Sequence, residues 1–203
     1  MKFILASKSP RRKEILENIG LDFKIVTADA DETCLQSDPC EYVKELALRK
    51  GTAVLEDLKR SGKMTQDTLI IAADTVVAAE GEILGKPKSP ADAARMLLML
   101  SGRSHSVISG IALLSATGET ARAEVTRVIF DKIPEREIEQ YLATSEPYDK
   151  AGAYAIQGFA SLWIHGIEGD YFNVVGFPVK CFADLLKHEY GISLADIIKK
   201  ETL

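Results

Sequence analysis

The sequence predicts an α/β fold, and three stretches predict it. An apolar strand pattern, Phe3-Ile4-Leu5, runs through Ser9-Pro10 into a helical pattern with Ile15, Leu16 and Ile19 at helical spacing. A long amphipathic helix follows at Pro39 to Leu58, with Tyr42, Val43, Leu46, Ala47, Val54 and Leu58 as its apolar stripe. Leu69-Ile70-Ile71-Ala72-Ala73 is then the strongest buried-strand signal in the chain. Strand and helix patterns alternating in this way call for helices laid on a sheet.

In the first stretch, Ser9 is a natural N-cap and Pro10 occupies the first helical position. Arg11 and Arg12 then stand in the first turn, beside Lys8 and Lys13. The helix dipole disfavours cations there by ~0.3–1 kcal/mol each. Such a local conflict points to a functional site. An anion bound at the helix N-terminus resolves it, and phosphate suits free N–H groups and arginine equally; a solvated basic turn is the alternative.

Phe23 to Thr27 reads as a strand that enters an acidic loop with Asp29, Asp31 and Glu32. Asp29 and Asp31 read as solvated, while Glu32 gains a role only if other carboxylates meet it. The long helix exposes Lys44, Arg49 and Lys50, and Lys59 to Asp67 is a polar loop. After Ala73 the strand pattern is interrupted by Asp74-Thr75 and resumes at Val76 to Ala79. An aspartate inside an apolar run needs partners or a cation, and such an environment makes general bases.

Glu80-Gly81-Glu82 is a turn, and Ile83 to Pro87 returns as a hairpin that carries Lys86 back towards the Asp74 end. Ser89-Pro90-Ala91-Asp92 starts a helix with Ala93, Leu97 and Leu100 inward, ended by Gly102. Arg103 to Leu114 and Thr120 to Phe130 read as paired strands, with His105 a surface or hydrogen-bonded ring. Ile133-Pro134 opens a helix with Ile138, Tyr141 and Leu142 inward. Glu146 to Gly158, rich in small residues, reads as a loop closing over a ligand, with the Gln157 amide offering both a donor and an acceptor. Leu162 to Ile167 reads as a strand, Gly169-Asp170 as a turn, and Tyr171 to Val175 as a strand pairing back. The final helix follows Gly176-Phe177-Pro178, with Val179, Phe182, Leu185 and Leu186 as its stripe.

The 203 residues suit one large domain or two small lobes, and are taken as a single domain spanning 1–203, with 46% apolar and 27% charged residues as in a soluble globular protein. A net charge of −5 does not advertise nucleic-acid binding, so a phosphate site must be a local basic cluster. No apolar run approaches the ~20 residues of a membrane span. The basic residues from Lys8 onward interrupt any signal-peptide pattern. Cys34, Cys40 and Cys181 lack C-x-x-C spacing and fit a reducing cytoplasm.

The motifs LASKSPRR (Leu5–Arg12), AADTVV (Ala72–Val77), GKPKSPADAARMLLMLSG (Gly85–Gly102), EPYDKAGAYAIQG (Glu146–Gly158) and VVGFPV (Val174–Val179) cover most of the chain in order. Jointly, the sequence resembles the Maf family of nucleoside triphosphate pyrophosphatases. The resemblance implies a strongly twisted mixed central sheet flanked by helices, with two lobes and a cleft, similar to the inosine triphosphate pyrophosphatase architecture. It implies hydrolysis between the α- and β-phosphates, with a divalent metal. By the same resemblance, Ser7, Arg11, Arg12, Lys50 and Lys86 match phosphate-contacting positions. Glu32 and Asp74 match the acidic pair that holds the metal, with Asp74 as proton acceptor. Arg11, Thr75 and Gln157 match the positions that separate subfamilies, and here resemble the dTTP and UTP set. Mg²⁺ suits such oxygen ligands, with Mn²⁺ as the close alternative. A homodimer is the general expectation for assembly. The rival function is a nucleotide-binding regulator of cell division that does not turn its ligand over. A phosphotransferase ranks low, since no G-x-x-x-x-G-K-[ST] loop is present.

Overall fold

The computed structural model describes residues 1–198. Strands β1 (Lys2–Leu5), β2 (Phe23–Ile25), β3 (Thr68–Ala79), β4 (Glu82–Leu84), β5 (Ser104–Leu114), β6 (Glu119–Phe130) and β7 (Ile164–Glu168) form one seven-stranded sheet. Its order is β2-β1-β3-β5-β6-β7, with β4 paired to β3. Helices are α1 (Pro10–Asn18), α2 (Pro39–Arg60), α3 (Pro90–Leu100), α4 (Glu135–Leu142), α5 (Tyr171–Val175), α6 (Val179–Tyr190) and α7 (Leu194–Ile197). The mixed α/β class is therefore as the sequence predicts. β1 lies parallel to both β2 and β3, with Leu5 opposite Ile25 and Ile71. Parallel neighbours require crossovers, which α1 and α2 supply.

The chain divides into two compact units. Of the described residues, the first comprises 1–74, 109–124 and 176–198; the second comprises 75–108 and 125–175. In the first, Ile4, Ala6, Ile70, Ala72, Ala112 and Leu114 meet Ala47, Val54, Leu55 and Leu58 of α2 in one core. In the second, Val77, Leu84, Leu97, Leu100, Val128, Phe130, Tyr141, Tyr154 and Trp163 share another.

Four readings need correction. β3 runs without interruption through Asp74-Thr75, because Asp74 is held by partners described below. Tyr171–Val175 is a helix, not a strand. Asp170 Oδ1 accepts from the Phe172 N–H at 2.8 Å, and the fully buried Asn173 donates to Val107 O and Thr126 Oγ1 at 3.0 and 2.9 Å. Five residues carry too little periodicity to separate helix from strand. The strand β7 starts at Ile164, since Phe159–Trp163 is a 3-10 turn, and its partner is β6. Finally, the stretch read as a loop contains 3-10 turns at Glu146–Asp149 and Ala151–Ala153. Gly152, at φ 68°, is buried where an added Cβ would lie 2.8 Å from Val77 Cγ2. That glycine lets the turn pack closely on Val77.

Candidate functional site

The first unit gathers six of the sequence-predicted side chains around the end of its β3 segment. Ser7 follows β1 and is buried. Its hydroxyl accepts from the Ser9 N–H at 3.2 Å and from Arg12 Nη1 at 3.3 Å. A hydroxyl that accepts twice still has its own hydrogen to donate. Ser9 sits at the N-cap position, but its side chain makes no capping bond; Ser7 organises this turn instead. Arg12 donates from Nη1 to Ala73 O at 2.8 Å and from Nε to Gly176 O at 2.9 Å. So Arg12 ties the basic turn directly to the residue before Asp74, and to the entry of α6. The arginine turn and the aspartate therefore share one site within this unit.

Asp74 is 8% exposed. Lys50 answers the cost of placing a carboxylate there. Its Nζ lies 2.7 Å from Asp74 Oδ1 and 3.3 Å from Glu32 Oε1. A single ammonium thus joins the acidic pair, one member nearly buried and the other exposed. The placement of Lys50 follows from two glycines. A Cβ on Gly51 would lie 2.2 Å from Leu114 Cδ1, and a Cβ on Gly110 would lie 2.4 Å from Val43 O. Without side chains at these points, α2 can lie close against β5, and Lys50 reaches β3.

Burial lowers the Arg12 pKa, Asp74 and Glu32 raise it, and neighbouring Arg11 lowers it again. At its high starting value the guanidinium stays charged. The Tyr42 phenol is pushed up by burial, then by Asp74, Cys34 and Glu32. Tyr42 therefore belongs to the surroundings of the acidic pair. The sequence reading assigned it only to the core stripe, although it shares helical phase with Lys50, eight positions on. Asp29 and Asp31, read as solvated, are exposed but lie near Lys8 and Arg49 at 3.8 and 3.6 Å.

The remaining predicted residues belong to the second unit. Thr75 is half-buried, whereas Lys86 and Gln157 are exposed. Val77 opposite Leu84 fixes the hairpin, so the chain leaves β4 in the direction of Thr75 with Lys86 beyond it.

Among the described residues, no group of three or more His, Cys, Asp or Glu is placed to hold a metal. The donor set at Asp74 and Glu32 nonetheless fits a hard cation of the Mg²⁺ type. Such ions keep waters and take one or two carboxylates together with substrate phosphate, rather than a full protein cage. Two carboxylates already drawn to one ammonium are a suitable pair. A separate groove of about 700 Å³ lies along α2, lined in part by Asp29, Asp31, Glu41, Glu45, Arg49 and Glu56. It contains none of the predicted site residues, and its excess of carboxylates opposes a polyanion. The constellation at Asp74 is the better candidate.

The chain matches the model of the Maf-like protein family over residues 2–189. A relative from Caldanaerobacter subterraneus subsp. tengcongensis, named dTTP/UTP pyrophosphatase, is 46% identical over 95% of this chain and 91% of its own. One of the same name from a Geobacillus species is 48% identical over 88% and 92%. Another, from a Thermoanaerobacter species, is 43% identical over 96% and 100%. The Ham1 protein of Staphylococcus aureus gives a TM-score of 0.46 at 16% identity, covering 64% of this chain and 72% of that one.

Proposed function

We propose, since the chain belongs to the Maf-like protein family, that it hydrolyses nucleoside triphosphates between the α- and β-phosphates, giving a nucleoside monophosphate and pyrophosphate. The relatives named dTTP/UTP pyrophosphatase make dTTP and UTP the substrates to expect. The observation that carries the reading is the Lys50 ammonium shared by Asp74 and Glu32, beside an arginine turn bonded to Ala73 O. Cations and carboxylates so interleaved suit a polyanion that arrives with a metal, and neither a neutral ligand nor a bare anion needs both.

Asp74 and Glu32 are the residues to hold a divalent cation, Mg²⁺ first and Mn²⁺ second. When bound, the ion neutralises phosphate charge and acidifies water. Asp74 Oδ1 accepts from Lys50, which leaves Oδ2 to take the proton of a water directed at the α-phosphorus. Lys50 keeps that carboxylate oriented. Arg11 faces the phosphates, while Arg12, committed to backbone carbonyls, fixes the turn that presents Arg11 and the Ser7 hydroxyl. Cationic groups so placed offset charge growing on the departing pyrophosphate. By the family resemblance, Lys86 is a further residue to expect on phosphate, and Thr75 and Gln157 are the residues to expect on the O4 and N3–H edge of the pyrimidine.

We assign the reaction to the whole chain acting as one catalytic domain. The cytoplasm suits the thiols Cys34, Cys40 and Cys181, and a homodimer is expected on general grounds. No described helix is long and apolar enough to cross a membrane. Incubation of dTTP, UTP and the purine triphosphates with Mg²⁺, with products resolved, tests the assignment. Pyrimidine monophosphate with pyrophosphate is the expected result. Binding without product would favour the regulator, and orthophosphate as first product would contradict the cleavage position.

A further inference from the structure

Glu32 lies on an exposed loop, yet the proposed site needs its carboxylate in one place. A mobile carboxylate would give most of any gain back as ordering entropy. The bond from Lys50 holds only the tip of the side chain. The backbone on either side is held by the next-door residue of α2. Arg49 Nη1 donates to Asp31 O at 3.2 Å and to Thr33 O at 2.5 Å, the two carbonyls that flank Glu32. Arg49 Nη2 donates to Glu45 Oε1 at 2.5 Å, one turn back on the same helix. Asp31 Oδ2 lies 3.6 Å from the guanidinium. Gln36 and Cys34, further along the same loop, lie close enough to the Glu45 carboxylate to lower its pKa.

From this geometry we infer that Arg49 is a positioning residue for the reaction: its guanidinium clamps the backbone on both sides of Glu32, so that consecutive residues of α2 fix the acidic loop, Arg49 by its main chain and Lys50 by its carboxylate. A planar fork with several fixed donors can bond two carbonyls and a carboxylate at once; a lysine ammonium on a flexible stem cannot hold the same three points. The inference rests on the proposed function in that Glu32 is taken to serve the metal.

Two measurements on the full chain test it. Amide hydrogen exchange of Arg49→Met reads the clamp whether or not any reaction is found. Residues 31–36 should exchange several-fold faster, with β1 and β3 unchanged. Unchanged exchange in 31–36, or an equal rise throughout the chain, overturns the inference. The second is the Mg²⁺ concentration giving half-maximal dTTP turnover. It should rise about 10-fold in Arg49→Met, the scale of groups that orient metal ligands, and to an intermediate degree in Arg49→Lys. A lowered Tm with an unmoved Mg²⁺ dependence marks a merely structural arginine and contradicts the inference. Absence of turnover in the parent chain sinks the function instead, and the exchange result still decides whether Arg49 holds the loop.

Discussion

Lys50 sets the chemistry of its surroundings by standing between two carboxylates. Replacing it by methionine leaves Asp74 nearly buried without its cation. Breaking a wholly buried pair costs ~3–5 kcal/mol, and an exposed one under ~1 kcal/mol. With Lys50 and Asp74 side chains 21% and 12% exposed, Lys50→Met should destabilise the chain by about 1–3 kcal/mol, read from urea unfolding. If Asp74 and Glu32 can share a divalent ion, added Mg²⁺ should restore more stability to Lys50→Met than to the parent. Equal effects of Mg²⁺ on both would count against that pair as metal ligands. At Asp74 itself, asparagine keeps size and hydrogen bonding but loses the base. Asp74→Asn should cut kcat about 10²–10⁴-fold, the usual range for a positioned acid–base group, with dTTP affinity nearly unchanged; a retained kcat would remove Asp74 from the base role. Arg12 shows where reading residues along a chain stops. Its charge at a helix start is visible in sequence, and it suggests a phosphate contact. Its bond to Gly176 O, 164 positions away, is a product of the fold.

Among the elements, α2 places Lys50, Arg49 and Tyr42 together, so its seat on β5 governs the site. That seat depends on two glycines of unequal tolerance. A Cβ at Gly51 meets the movable end of Leu114, whereas one at Gly110 meets the Val43 carbonyl, which is backbone. Gly110→Ala should therefore destabilise more than Gly51→Ala, by about 1–3 kcal/mol for forced overpacking, and should lower turnover as α2 shifts; Tm and kcat measured on both variants check the order. Long elements such as α2 and β3 were legible because their apolar periodicity extends over many residues, and α3 because Ser89 caps Asp92 N as its sequence suggests. Tyr171–Val175 was not, because a five-residue apolar run fits strand and helix alike. What decides it is Asp170 capping and the Asn173 bonds to Val107 and Thr126, contacts that only the folded chain brings together. The 3-10 turns at 146–153 were not legible for a related reason: a small residue such as Gly152 gives no sign in sequence of its close packing on Val77.

At the scale of the molecule, the two units have separate cores, and one carries an acid-sensitive group. His105 is 4% exposed, bonded through Nε2 to the Tyr154 hydroxyl at 2.7 Å and edge-on to Phe130. Burial lowers its pKa to about 4. The unfolded chain, with an ordinary histidine value near 6.5, binds the proton first as pH falls. Stability is thus full above ~6.5 and declines down to ~4, by about 3 kcal/mol across the window. Urea unfolding between pH 4.5 and 7 should show that slope in the second unit, and a flat profile would mean the ring is not held neutral. The sequence marks the candidate site by its motifs, but it does not mark Arg49 and Tyr42, which carry no motif and come beside those residues only in the folded chain. The central claim is that Asp74 directs water at the α-phosphorus of a pyrimidine triphosphate. Turnover of dTTP in ¹⁸O-labelled water, with products resolved by mass, tests it most directly. The label should appear in the monophosphate and the rate should collapse in Asp74→Asn; label in the pyrophosphate, or undiminished turnover by that variant, would contradict it.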